Sequence, residues 1–315
     1  MCSACTSGGG WRSGSEAAMP RFGDGVYTVV PTPFDDDGGL DLKSLERLIE
    51  FLVGLKVDGL LILGVMGEAP KLVGPERNQV IETVIARAGG AVPVIVGTSH
   101  PSERGARELS RVAQDLGAAG VMIAPPRLAR DDHDETVRYF ERAVDGLSVD
   151  VVLQDHPASS GVTLSAAAIV DLVTQVPSVR HVKLEDPPTP RKVAQLRRLA
   201  GKDLGVYGGL GGLFFLEELR AGANGTMTGF AFPEILGEVF RAHREGQAER
   251  AAHTFYRALP LIRFEFQDQV GLAVRKRVYR HRGAIEHDGI RSPGTNLDET
   301  TEHELHRLLG WLGLD

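Results

Sequence analysis

Cysteine is almost missing from this chain of 315 residues, which has only Cys2 and Cys5. Their C-x-x-C spacing suggests a metal or redox pair, but a structural zinc site needs four ligands and there is no second pair. Both fall in the Gly/Ser-rich stretch MCSACTSGGGWRSGSEAAMP. Such a composition cannot bury a core, so residues 1–20 are expected to form a disordered leader. The stretch also lacks the apolar centre of a secretory signal, which points to a cytoplasmic protein without disulfides. No apolar run reaches the roughly 18 residues of a membrane span. Positive charge is in deficit, with a formal net charge of −7. That balance argues against a general nucleic-acid binder, because neutralising phosphates takes a basic surface. The G-x-G-x-x-G fingerprint of nucleotide and flavin sites is absent too.

From Val26 onward, short β-rich runs alternate with amphipathic stretches. The runs are VYTVV (26–30), GLLIL (59–63), PVIVG (93–97), GVMIA (120–124), DVVLQ (150–154), VRHVKL (179–184), LGVYG (204–208) and NGTMTG (224–229). Each is short and rich in Val, Ile or Leu, as parallel strands covered on both faces are. Helix signals lie between them: Asp41 before an apolar periodic segment, Pro75 at a helix start, and Ser102 before a segment closed by Gly117. Eight strand–helix units predict a closed (β/α)8 TIM barrel over residues 21–245. Residues 246–315 show no strand pattern. They predict a C-terminal helical region, with helices near 247–264, 268–281 and 298–313.

Lys183 ends the sixth run, between Val182 and Leu184. Alternation points it away from those two, toward the barrel interior. Barrel enzymes keep their chemistry at this end of the strands. A poorly hydrated amine is a nucleophile, and its attack on a ketone gives an iminium that draws electrons out of a neighbouring bond. The plainer alternative is a lysine snorkelling to solvent at the strand end.

Five motifs surround this lysine in a fixed order: VPTPF (30–34), GVMGE (64–68), HPASSG (156–161), VKLED (182–186) and GANGTMTGF (222–230). With these the chain resembles the dihydrodipicolinate synthase and N-acetylneuraminate lyase superfamily over about residues 22–313. The resemblance implies a barrel with a three-helix tail, acting without a cofactor and assembled as a homotetramer, with a dimer as the fallback. It also implies a Schiff base between Lys183 and pyruvate or another 2-oxo acid. Gly64, Val65, Met66 and Gly67 would cradle the substrate carboxylate through backbone N–H groups, and Glu68 would orient their loop. Gln154, Gly208, Gly209 and Met227 would complete the substrate-binding set.

The chain departs from the family pattern at several of these positions. Val65 and Met66 replace a hydroxylated pair, and Gln154 replaces the proton-shuttling tyrosine. Ser159 stands near an expected arginine, and 125–128 holds no tyrosine. Gly208-Gly209-Leu210 replaces an acidic loop. An amide does not titrate, so another group must carry protons. Glu185 shares the strand face of Lys183, and His156 that of Gln154. These two are the expected acid–base partners. Glu68, Asp155, Glu185 and Asp186 all fall near the mouth, which predicts a substrate whose far end is neutral or cationic.

The leading expectation is aldol cleavage of a 4-hydroxy-2-oxo acid to pyruvate and an aldehyde. An imine-dependent dehydratase or hydratase uses the same lysine. A metal-dependent aldolase with His156, Glu185 and Asp155 as ligands leaves Lys183 unexplained. A non-catalytic ligand-binding barrel leaves a buried amine without purpose.

Overall fold

The structure is a computed structural model that describes residues 22–128 and 132–315. The expected leader lies outside the described residues. Eight parallel strands pair in chain order and close into a barrel: β1 (Gly25–Val29), β2 (Gly59–Ile62), β3 (Val94–Gly97), β4 (Gly120–Ile123), β5 (Asp150–Asp155), β6 (Val179–Leu184), β7 (Gly205–Gly208) and β8 (Gly225–Thr228). All eight expected strands are present, each within a residue or so of its expected bounds. The fold is a (β/α)8 barrel.

Period-two alternation divides the strand residues between two cores. Leu60, Ile62, Val94, Val96, Val121, Val151, Leu153, Val182 and Val206 face outward and pack under the helices. Tyr27, Val29, Leu61, Ile95, Met122, Val152, Tyr207 and Met227 fill the interior. Phe22 closes the lower end, its ring 4.8 Å from Tyr27, 5.1 Å from Tyr207 and 4.0 Å from His181. The barrel is therefore packed from below, and open space remains at the carboxyl ends of the strands, as the fold requires.

The helix starts read from the sequence hold. Asp41 caps Leu42–Gly54 by accepting the Ser44 N–H at 2.9 Å. Ser102 caps Glu103–Asp115 through the Gly105 N–H at 3.2 Å, and Pro75 lies in the first turn of Gly74–Ala88.

The tail contributes helices Ala248–Glu265, Gly271–His281 and Glu299–Leu312. Its basic side chains clamp the first two strand-to-helix loops. Lys276 donates to Glu68 at 2.7 Å. Arg291 reaches the Gly38 and Lys71 carbonyls and the Glu76 carboxylate, stacked 4.2 Å from the centre of the Phe34 ring. No helix among the described residues is long and apolar enough to cross a membrane.

Candidate active site

Lys183 pairs with Gln154 on β5 and Tyr207 on β7, and its side chain points into the upper interior, only 5% exposed. Glu185 lies one residue beyond β6. Its N–H donates to the Asp155 carbonyl at 2.8 Å, which keeps the chain extended and returns Glu185 to the face of Lys183. One carboxylate oxygen, Oε1, sits 3.3 Å from Lys183 Nζ. The other accepts from Gln154 Nε2 at 2.9 Å. Room for this carboxylate comes from Gly209, where an added Cβ would fall 2.4 Å from Glu185 Cγ. Burial alone would raise the Glu185 carboxyl. The charges of Lys183 and His156, with the bonds from Gln154 and Lys183, outweigh it and hold the group below its ordinary value. Glu185 is therefore an ionised base at neutral pH.

A cavity of about 410 Å³ opens above Lys183, and its walls include Val65, Met66, Gln154, His156, Lys183, Glu185 and Met227. These are seven of the eleven site positions expected from the sequence. An adjoining space of about 320 Å³ shares Val65, Gln154 and Ser159 with it and is bounded by Gly64, His100 and Arg127. His156 stands at the rim, half-buried, with Nδ1 2.7 Å from Ser159 Oγ.

Three expected glycines do other work. The Gly67 carbonyl accepts from the buried Thr32 hydroxyl at 2.7 Å, and the Gly67 N–H bonds back to Gly64. Within the tight turn Gly64–Glu68 the N–H groups of Gly67 and Glu68 are used internally, so an anion would meet those of Val65 and Met66. Gly208 and Gly209 were expected to let substrate pass close to the backbone. Neither borders the cavity. Gly208 leaves space for Glu218, whose Oε2 would lie 1.8 Å from an added Cβ, while Gly209 accommodates Glu185.

The expectation of which carboxylates line the mouth is also corrected: Glu185 does, joined by Glu265 and Asp268, and the other three do not. Glu68 is buried and bonded to Lys276 and Lys71, both at 2.7 Å. Asp155 faces out of the barrel and shares Lys192 with Asp186, at 2.6 and 2.8 Å. Three of the four carboxylates are thus neutralised away from the cavity. For the same reason Asp155 does not converge with His156 and Glu185 as a metal-ligand set. Among the described residues no group of three or more His, Cys, Asp and Glu side chains has that arrangement.

The tail's part in the site was missed. Glu265, residues 266–269, Gly271, Leu272 and Arg275 form one wall of the Lys183 cavity. Arg275 Nε lies 3.3 Å from Glu265 Oε2, and the same oxygen accepts the Ala231 N–H at 3.1 Å. Burial pushes the Glu265 carboxyl up to about 7 against the opposing charge of Arg275. A run such as VRKRV reads as an exposed basic helix face. No local signal marks Arg275 for the interior, because Arg275, Lys276 and Arg277 cover one continuous arc of the helix between Val274 and Val278.

Comparison with known proteins follows this geometry closely. The profile of the Dihydrodipicolinate synthetase family matches residues 23–311. An L-2-keto-3-deoxyarabonate dehydratase of Azospirillum brasilense is 35% identical over 295 residues, 92% of this chain and 94% of that protein. A crystal structure described as dihydrodipicolinate synthase from Rhodopseudomonas palustris superposes with a TM-score of 0.87 at 38% identity, covering 91% of this chain and 97% of that one. A prophage protein of the dihydrodipicolinic acid synthase family from E. coli, solved in complex with pyruvate, gives a TM-score of 0.87 at 26% identity, covering 93% and 99%. With a family match across nearly the whole described barrel and tail, the chain belongs to the dihydrodipicolinate synthetase family.

Proposed function

We propose that this protein is an imine-forming dehydratase of a 3-deoxy-2-oxo sugar acid, with Lys183 as the nucleophile and Glu185 as the proton carrier. The observation that carries the reading is the ionised Glu185 carboxylate 3.3 Å from Lys183 Nζ, with a non-titrating Gln154 on its other oxygen. Similarity to the Azospirillum dehydratase supports the choice of reaction.

The ammonium of Lys183 gives a proton to solvent, the free amine adds to the C2 ketone, and a returned proton carries the oxygen away as water, which leaves a cationic iminium. Glu185 removes a C3 proton, and the electron pair enters the enamine. Loss of the C4 hydroxyl, protonated by the carboxylic acid that Glu185 has become, expels a second water and leaves an unsaturated iminium. Tautomerisation and hydrolysis return the lysine and a product shorter by one water. One carboxyl serves as base and then as acid, so no second titrating group is needed beside it. His156 at the rim exchanges the proton with solvent.

A second reading, aldol cleavage to pyruvate and an aldehyde, uses the same imine and draws support from the pyruvate complex of the E. coli relative. Incubation with 2-oxo-3-deoxypentonates, followed by product analysis, separates them. An aldehyde plus pyruvate would refute dehydration, and a single product lighter by one water would support it. Assembly as a homotetramer, or failing that a dimer, is part of the proposal and is checked by light scattering.

A further inference from the structure

We propose that Arg275, a tail residue, is the cationic anchor for the carboxylate of the 2-oxo acid. The inference rests on the reading of Lys183 as the imine former.

A 2-oxo acid brings one permanent negative charge into a buried space, where an unpaired carboxylate is strongly disfavoured. Among the described residues, lysine and arginine enter the walls of the Lys183 cavity once each, as Lys183 and Arg275. The iminium keeps the positive charge of Lys183, but its nitrogen is bonded to C2 with one N–H left, so Arg275 is the cation of that wall still able to give several N–H groups to the carboxylate. The loop expected to receive that group carries an alkyl and a thioether at Val65 and Met66 and offers only backbone donors.

Arg275 compensates from the opposite side. It is 5% exposed, and its Nη1 rests on Met66 Sδ at 2.9 Å, which ties it to the same loop. Thioether sulfur is a weak acceptor on a flexible stem, easily displaced by a carboxylate oxygen. Nη2 is buried and has no hydrogen-bond partner among the described residues. It lies beside Gly211, a wall residue at φ +68, where an added Cβ would come within 3.1 Å of it. An arginine present only to balance a buried glutamate would pair through two N–H groups. Here Glu265 takes Nε alone, at 3.3 Å, and leaves Nη1 on the Met66 thioether and Nη2 unpaired among the described residues.

The test compares pyruvate with methyl pyruvate, the same ketone without the charge. The full chain is treated with each at increasing concentration, reduced with borohydride, and read by intact mass. Wild type should half-saturate with pyruvate at a concentration about tenfold or more below that for the ester, the ratio expected of a hydrogen bond to a charged group. Arg275→Met should raise the pyruvate value to that of the ester and leave the ester unchanged, and Arg275→Lys should recover part of the preference. Because Arg275→Met strands Glu265, the double variant Arg275→Met/Glu265→Gln is measured alongside it, with thermal melting to show the fold is kept. A preference for pyruvate that survives in the folded variants, or is missing from wild type, overturns the proposal. Failure of wild type to trap either ketone overturns instead the reading of Lys183.

Discussion

Replacement of Glu185 by glutamine tests the chemistry with little change in shape. The amide keeps an oxygen to accept from Gln154 Nε2, now 2.9 Å from the carboxylate, and it occupies the space left by Gly209. What it loses is the ability to take and return a proton. Positioned general acid–base groups contribute about 10²–10⁴ in rate. Turnover should fall by that factor, a rise in barrier of about 3–5 kcal/mol. Imine formation is a separate step and should persist. Two readouts divide the steps: borohydride trapping with pyruvate, and exchange of the pyruvate methyl protons in D₂O followed by NMR. Trapping should give the adduct mass in both proteins, while exchange in Glu185→Gln slows by the same about 10²–10⁴. If the variant exchanges within a few-fold of wild type, Glu185 is not the base, and the proposed mechanism is wrong at its central step.

Other outcomes follow from the same geometry. Lys183→Met should melt like wild type yet give no borohydride adduct with any 2-oxo acid, and an adduct elsewhere would move the nucleophile. His156→Asn should keep trapping and lose less than the about 10²-fold floor for a general acid or base, since its ring is held at the rim by Ser159 Oγ at 2.7 Å. Glu218 is buried and its carboxyl is pushed up to about 8 by desolvation. The folded state therefore keeps a proton that the unfolded chain releases above about 4.3. Stability from this group is complete below that value and is lost as pH rises toward about 8. Urea unfolding should show Glu218→Gln gaining on wild type by on the order of 3 kcal/mol between mildly acidic and mildly alkaline pH; equal slopes would refute the assignment. Glu68→Ala strands the fully buried Lys276 and should lower stability by about 3–5 kcal/mol, with recovery in a Glu68→Met/Lys276→Met pair.

The fold was legible because each strand is a short apolar run and the expected helix starts carry a cap at Asp41 and Ser102 or a first-turn proline at Pro75. The lysine's direction was legible only locally. Pairing of β5 with β6 skips Arg180, as Val151 faces Val179 and Val152 faces His181. Val179 is outward in the core under the helices, and this bulge turns His181 and Lys183 inward. Parity counted from Val179 would have aimed Lys183 at the helices, whereas its neighbours Val182 and Leu184 gave the right answer. Glu185 was placed on the inner face by the same local count, whereas Gln154 was singled out through the family resemblance. Gly208 and Gly209 were misread because a glycine shows only that something comes close. What fills the gap here is a pair of carboxylates from β7's own neighbourhood. Glu68 and Asp155 were wrongly placed at the mouth because Lys276 and Lys192, which neutralise them, sit 208 and 37 residues away. Arg275 was invisible for the same reason, since its place in the wall depends on how the tail docks.

That docking sets the order in which the site can come into being. The wall formed by 265–275 comes after β8, which ends at Thr228, so it leaves the ribosome later than all eight strands. A nascent chain with all its strands out would hold a reactive amine under an open roof. Only when the late helices close over it does the amine gain a compartment that can select what it reacts with.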